Sequence, residues 1–319
     1  MDNSLPNINE NTPVWRCVDW STEKAQDRFL KGKNRYDPYI YDFVIATNGV
    51  YTPGEQLILD GTDKRPCVFR GLGKSPSIKE CIKQNIDYMY IDTGYFGNER
   101  TKKWHRVAYN NLQTLNHLSV EDVQRRLKDT FVWREAYKWL EDRFEKVHGV
   151  THDKWKPEKT KRGKTILIVP PSQKVFNHFG GDAKEFTDKL VKEIKLYTDK
   201  PIEIRPKVGR DKRVKYTVQD QLRSGKYHCL VTYNSIASLE AITIGIPAVV
   251  TGPNAGSYLS EKKLKNIDAP YYPSFKEIYE HVYYLTNCQL NSDEFRSPKA
   301  YKVIKALQGD AIKSKGAIK

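Results

Sequence analysis

The second half of the chain carries the most regular pattern of apolar and polar positions. Residues 165–169 (Thr-Ile-Leu-Ile-Val) form an unbroken apolar run, which predicts a strand buried on both faces. Residues 182–197 predict a helix, with Phe186, Leu190, Ile194 and Tyr197 on one face. Strands are expected at 201–205, 229–232 and 248–251, and helices at 235–244 and 275–285. Strands alternating with helices of this length imply a parallel sheet of the Rossmann type. The first half is less regular. It suggests short strands at 43–47, 67–70 and 88–91, and helices at 77–84 (opened by Ser75-Pro76), 119–128 and 134–147. Residues 152–163 are polar without periodicity and read as a linker. The expected division is therefore 1–160 and 161–319, and the helical pattern of 298–307 suggests a last helix that crosses back to the first domain.

Composition narrows the class. With 39% hydrophobic residues, 20 Tyr and 6 Trp, the chain can bury a core and is not a disordered polymer. No apolar stretch approaches the roughly 20 residues of a membrane-spanning helix. The polar start Met1-Asp2-Asn3-Ser4-Leu5-Pro6 shows no secretory signal. Five scattered cysteines, none in a C-x-x-C pair, fit reduced thiols, so the expected location is the cytoplasm. The formal charge of +15 is clumped in Arg100–Arg106, Lys154–Lys164, Arg205–Lys226 and the C-terminal tail. Each run alone reads equally well as ordinary solvated surface or as a contact for an anionic partner. Together they point to a polyanionic partner, either nucleic acid or an anionic membrane surface touched peripherally.

Candidate chemistry concentrates in Thr232-Tyr233-Asn234-Ser235-Ile236-Ala237-Ser238-Leu239-Glu240. A strand leaves the sheet here, and Asn234 and Ser235 offer cap chemistry to the next helix. The helix N-terminus then points at the carboxyl edge of the sheet, where open α/β folds take ligands, and free N–H groups from Ile236 to Ser238 are expected to hold a diphosphate. Glu240 sits one turn in, on a helix otherwise nearly apolar. Its carboxylate can accept both vicinal hydroxyls of a ribose, or it can simply mark a solvated stripe.

The pattern Asn234-Ser235-x-x-Ser238-Leu239-Glu240-Ala241, followed by Gly245-Ile246-Pro247 and an apolar strand, resembles the donor-domain motif of GT-B glycosyltransferases. That resemblance covers about 25 residues, and the domain pattern around it about 130. It implies an α/β fold of two Rossmann-type domains with parallel sheets facing a central cleft. It makes Glu240 the ribose ligand, puts Ser235 and Ser238 nearest the phosphates with Tyr233 and Asn234 beside them, and sets Thr251-Gly252-Pro253 at the rim. Arg205 and Lys207, after the preceding strand, are the implied counter-charges of a departing nucleoside diphosphate, and Ser172 lies where the family's interdomain loop nears the donor. No DxD signature is present, so neither a metal nor another cofactor is expected beyond the nucleotide sugar as co-substrate. Sugar-nucleotide 2-epimerases share the fold and a similar glutamate.

By the same resemblance the first domain holds the acceptor. Asp92, ending the strand of Tyr90-Ile91-Asp92-Thr93-Gly94, is a candidate general base or an Asx turn that merely ends the strand, and His105 is a second base candidate or a surface histidine. Asp92-Thr93-Gly94 also resembles the aspartic protease signature, but no second copy exists to complete a carboxylate pair. Thr47-Asn48-Gly49 follows a predicted strand and is expected to line the cleft. Arg70, Lys74, Arg100, Lys102, Lys103 and Arg210 are candidate acceptor or phosphate contacts. The reading that joins these pieces is hexosyl or pentosyl transfer from a nucleotide sugar, a UDP-sugar first, to a hydroxymethylated pyrimidine in double-stranded DNA of a bacterial virus. The alternative acceptor is a surface polysaccharide or lipid-linked glycan. A non-catalytic nucleic-acid-binding protein is the reading from another class.

Overall fold

The computed structural model describes residues 16–19, 43, 46–47, 49–53, 65–72, 75–97, 104–128, 133–205, 217–291, 293–297 and 299–309. Along them run the strands β1 (Arg16–Asp19), β2 (Val50–Pro53), β3 (Cys67–Arg70), β4 (Tyr88–Thr93), β5 (His105–Tyr109), β6 (Thr165–Val169), β7 (Ile202–Ile204), β8 (Tyr227–Thr232), β9 (Ala248–Val250) and β10 (Gln289–Leu290). The helices are α1 (Ser75–Lys83), α2 (Val120–Lys128), α3 (Trp133–His148), α4 (Gln173–Phe179), α5 (Ala183–Ile194), α6 (Val218–Leu222), α7 (Ala237–Thr243), α8 (Phe275–Asn287) and α9 (Lys299–Gln308). The chain forms two compact units. One comprises 1–114, 121–149 and 285–319, the other 115–120 and 150–284.

In the second unit the apolar runs do what their pattern predicts. Its sheet is wholly parallel, in the order β7-β6-β8-β9. Successive side chains of β6 point to opposite faces. Ile166 and Ile168 meet Leu190 and Ile194 of α5, while Leu167 meets Leu222, Ala237 and Ala241 on the other side. Both faces are therefore dry, which is why the strand shows no polar alternation. Asp182 caps α5 by accepting from Lys184 N and Glu185 N at 2.8 and 2.9 Å. The segment expected to be a linker is part of this unit. Glu158 N donates to Thr243 O at 2.8 Å, Gly163 N donates to Tyr227 O at 2.9 Å, and Trp155 is buried. A polar stretch without periodicity can still be ordered when its backbone finds partners. Gly245 makes the close approach feasible: its φ is +94°, and a Cβ there would lie 2.7 Å from Glu158 O.

The first unit has a mixed sheet, ordered β10-β5-β4-β3-β1-β2, rather than the parallel one expected. β1 to β4 run parallel, β5 is antiparallel to β4, and β10 is antiparallel to β5. Of the strand expected at 43–47, the described residues Phe43, Ala46 and Thr47 are helical or turn instead, with Thr47 N donating to Phe43 O at 3.1 Å and Thr47 Oγ1 to the same carbonyl at 2.9 Å. Thr47 therefore follows a helical turn and not a strand. Residues from the end of the chain complete this unit: Leu290, Phe295, Tyr301 and Ile304 share a core with Val68, Met89, Ile91 and Val107.

Two glutamine side chains act there as stretches of backbone. Gln289 accepts from Tyr95 N at 2.8 Å and Phe96 N at 3.1 Å, and donates to Phe96 O at 3.2 Å. Gln308 accepts from Tyr109 N at 3.0 Å and donates to Val107 O at 2.7 Å, closing the part of β5 beyond the reach of β10. A primary amide carries the same donor and acceptor pair as a peptide group, so it can substitute for a missing strand. Arg143, fully buried, lies 3.7 Å over the Trp139 ring, bonds Gln289 O and pairs with Glu294. Cys67, Cys81, Cys229 and Cys288 are buried free thiols, and burial pushes Cys229 up to about 12. Among the described residues no helix is long and apolar enough to cross a membrane.

Candidate functional site

In the second unit the chain goes from β6 to β7 on one side and returns to β8 on the other. The carboxyl ends of β6 and β8 therefore flank a topological switch point, the place where open α/β sheets leave a crevice. Thr232 Oγ1 donates to Val169 O across the two strand ends at 2.8 Å. Most of the residues expected to bind the nucleotide sugar lie here. Ser172 caps α4, its hydroxyl accepting from Val175 N at 3.4 Å. Tyr233 is half-buried between Phe176 and Phe186, each with centroids 5.2 Å away, and Phe179 at 5.9 Å. Burial pushes its phenol up. Gly252 lies against the same ring, since a Cβ there would fall 2.3 Å from Tyr233 Cε2.

The turn after Asn234 differs from its expected form. Helix α7 begins at Ala237, and Ile236, its cap residue, makes no side-chain cap bond. Two of the amides expected to be free for a diphosphate are engaged: Ala237 N donates to Ser235 Oγ at 3.3 Å and Ser238 N to Ser235 O at 3.3 Å. A hydroxyl and a carbonyl on the same serine satisfy these donors locally. Ser238 is fully buried, and its hydroxyl lies 2.9 Å from Asn254 Oδ1. It braces the turn from inside. Glu240 is half-buried, whereas Ala237, Ser238, Leu239, Ala241 and Ile242 of the same helix are buried. Arg205, just past β7, is half-buried and donates to Gln221 Oε1. Lys207 and Arg210 lie outside the described residues, as do Lys74, Arg100, Lys102 and Lys103.

Asn254 escaped the sequence reading, which set the rim at Thr251-Gly252-Pro253 and stopped one residue short. It is fully buried, donates to Ser235 O at 2.9 Å, and accepts from Gly256 N at 2.7 Å. It thus ties the loop after β9 to the turn after β8. An asparagine following Gly-Pro reads locally as a turn residue, so no short-range signal marks it as a brace.

In the first unit Asp92, His105 and Arg70 come together where β3 and β4 end and β5 begins, with Asp92 opposite Arg106 and Thr93 opposite His105. Asp92 accepts from Thr93 N at 2.8 Å, Tyr90 OH at 3.0 Å and Arg106 Nη2 at 2.8 Å. Desolvation works against its charge, but Arg106, the Thr93 N–H and the Tyr90 hydroxyl outweigh it and hold the carboxyl below the usual range. His105 is buried, not at the surface. Burial, then the charge of Arg70, push its imidazole down to about 4, so it is neutral at pH 7. Arg106, read from sequence only as one member of a basic run, is the buried partner that fixes Asp92.

No family model and no curated protein sequence matches the chain. Among solved structures it is similar to the beta Kdo 2,4 transferase KpsC of Thermosulfurimonas dismutans, with a TM-score of 0.42 and 11% identity over 85% of this chain and 90% of that one. The beta Kdo 2,7 transferase KpsC of the same organism gives 0.37 and 9% identity over 92% and 99%. At these scores the likeness carries no functional inference.

Proposed function

We propose that the chain is a glycosyltransferase that moves a hexosyl or pentosyl group from a nucleotide sugar, a UDP-sugar first, to an acceptor hydroxyl. The observation that carries this reading is Glu240: a half-buried carboxylate one turn into a mostly buried helix, at the switch point of a parallel sheet. In this reading Glu240 accepts the ribose hydroxyls, Tyr233, Asn234 and Ser235 line the donor, and Arg205 offsets the leaving diphosphate. Ser172 and Ser238 act through the shape of the two loops. The two sheets are taken as the halves of a GT-B fold. In the first unit Asp92, ionised and partly exposed, takes the acceptor proton. His105, neutral, is the second choice.

We take the acceptor to be a glycan, with hydroxymethylated DNA second. The DNA reading rests on clustered cations, and several of those described are occupied within the fold. Arg162 lies 4.8 Å over the Tyr272 ring, Arg223 pairs with Glu158 at 2.7 Å, Arg205 bonds Gln221, and Lys226 pairs with Glu203. Cations already paired have less to gain from phosphate than free ones.

Thermal shift against a panel of nucleotide sugars, with NAD and ATP as controls, tests the donor half. Stabilisation by a UDP-sugar alone, abolished in Glu240→Ala, is the expected result. No response to any nucleotide sugar defeats the reading. Turnover of a UDP-N-acetylhexosamine without acceptor would favour an epimerase, and salt-dependent binding of duplex DNA would restore the nucleic-acid acceptor.

A further inference from the structure

The second unit holds another cluster, built on His281 of α8. This imidazole is fully buried and its Nε2 lies 2.7 Å from Ala255 O. A carbonyl only accepts, so His281 carries its proton on Nε2 and presents a lone pair at Nδ1. His117 Nδ1 lies 3.1 Å from that lone pair and must be the donor. The tautomers of both rings are thereby set, and the plane of His117 with them. His117 lies flat on Tyr258, with centroids 3.7 Å apart and planes 6° from parallel.

Tyr258 remains 43% exposed although His117 covers one of its faces and the His281 ring lies 5.5 Å away. The charges of Glu277 and Glu280 both bear on that phenol. Tyr271, 40% exposed, donates to Glu277 Oε1 at 2.7 Å. Glu280 is mostly buried, and its neighbours of opposite charge stand off: His117 Nε2 at 3.9 Å and Lys276 Nζ at 3.8 Å. Neither is a hydrogen bond, so the carboxylate keeps acceptor capacity.

We propose that Tyr258, with Glu280 and His117 beside it, is a carbohydrate subsite that takes a neutral or N-acetylated sugar ring of a glycan. A flat ring immobilised from behind suits the C–H face of a pyranose, and a carboxylate at its margin suits a pair of adjacent hydroxyls. The two glutamates repel phosphate and carboxylate ligands, which argues against nucleic acid or an acidic glycan on this surface. The subsite is joined to the candidate donor turn through consecutive residues: Asn254 bonds Ser235 O, and Ala255 accepts from His281. Use of the bound sugar as acceptor rests on the transferase reading. Binding itself does not.

The test is an array of immobilised neutral, N-acetylated and acidic oligosaccharides probed with the full chain and no nucleotide. Binding to neutral or N-acetylated members is expected, weakened at least about tenfold by Tyr258→Ala and by Glu280→Gln, and kept by Tyr258→Phe. Binding to no glycan, binding confined to acidic members, or a Glu280→Gln protein that melts normally and binds unchanged would each overturn the proposal. Should Tyr258→Ala unfold, Glu280→Gln and Tyr258→Phe still decide. Nucleotide-sugar stabilisation, read on the same protein, separates the two ideas: a chain that binds glycan but no nucleotide sugar keeps this subsite and loses the donor reading.

Discussion

Replacing Asn254 by alanine removes a donor from Ser235 O and an acceptor from Gly256 N and Ser238 Oγ, all inside the fold. Leaving such groups unsatisfied costs about 1–3 kcal/mol each before relaxation. Asn254→Ala should therefore lower stability by about 2 kcal/mol or more, seen as a lower urea midpoint at unchanged slope. It should also weaken nucleotide-sugar stabilisation although Asn254 need not touch the donor. Buried histidines set the acid limit. Burial pushes His281 down to about 3 and His105 down to about 4, below the roughly 6.5 of an unfolded histidine. Between those values the unfolded chain binds more protons than the folded one, so stability falls as pH falls through that window. The slope is at most about 1.4 kcal/mol per pH unit for each histidine. Urea titrations from pH 7 to 4 should show it, and His281→Gln should remove part of the slope even if it lowers the whole curve.

At the scale of elements, Gly245 is the sharpest point. Alanine there must adopt φ near +94° and place a methyl 2.7 Å from Glu158 O. Gly245→Ala should cost more than about 1 kcal/mol and detach the 150–163 segment, read as faster hydrogen exchange at Glu158 and Thr160. The glycine was legible as a helix stop, since Gly245-Ile246-Pro247 follows the apolar helix. What it packs against was not, because that partner lies some 85 residues away along the chain. The same divide runs through the fold. β6 and α5 follow from local pattern and from the Asp182 cap. β5 was missed because His105 and Arg106 open it, and polar residues argue for solvent until Asp92 is known to face Arg106. In the candidate site, Glu240 stood out as the charged residue of a mostly apolar helix. Asn254 and Arg106 did not, since each owes its role to a neighbour brought by another strand.

For the whole molecule, the return of the chain matters most. Residues 285–319 belong to the first unit, although 150–284, just before them, belong to the second. A chain ending at residue 298 loses Tyr301, Ile304 and Gln308 from the first unit's core and sheet. Amide exchange should then rise sharply at Tyr109, whose N–H loses the Gln308 acceptor, while β6 and β8 keep their protection. Equal loss in both units would mean that they unfold as one.

The glutamine pairing also has a consequence in time. Tyr109 and Gln308 are 199 residues apart, and the chain is made in one direction. At about 5–20 residues per second, β5 waits some 10–40 s on the ribosome for the side chain that closes it. Through that interval its outer row of peptide groups is open to any other extended chain. The body spanning 150–284 is complete about 24 residues (308 − 284), or roughly 1–5 s, earlier. Synthesis therefore finishes the 150–284 body before the sheet that holds β5 can close.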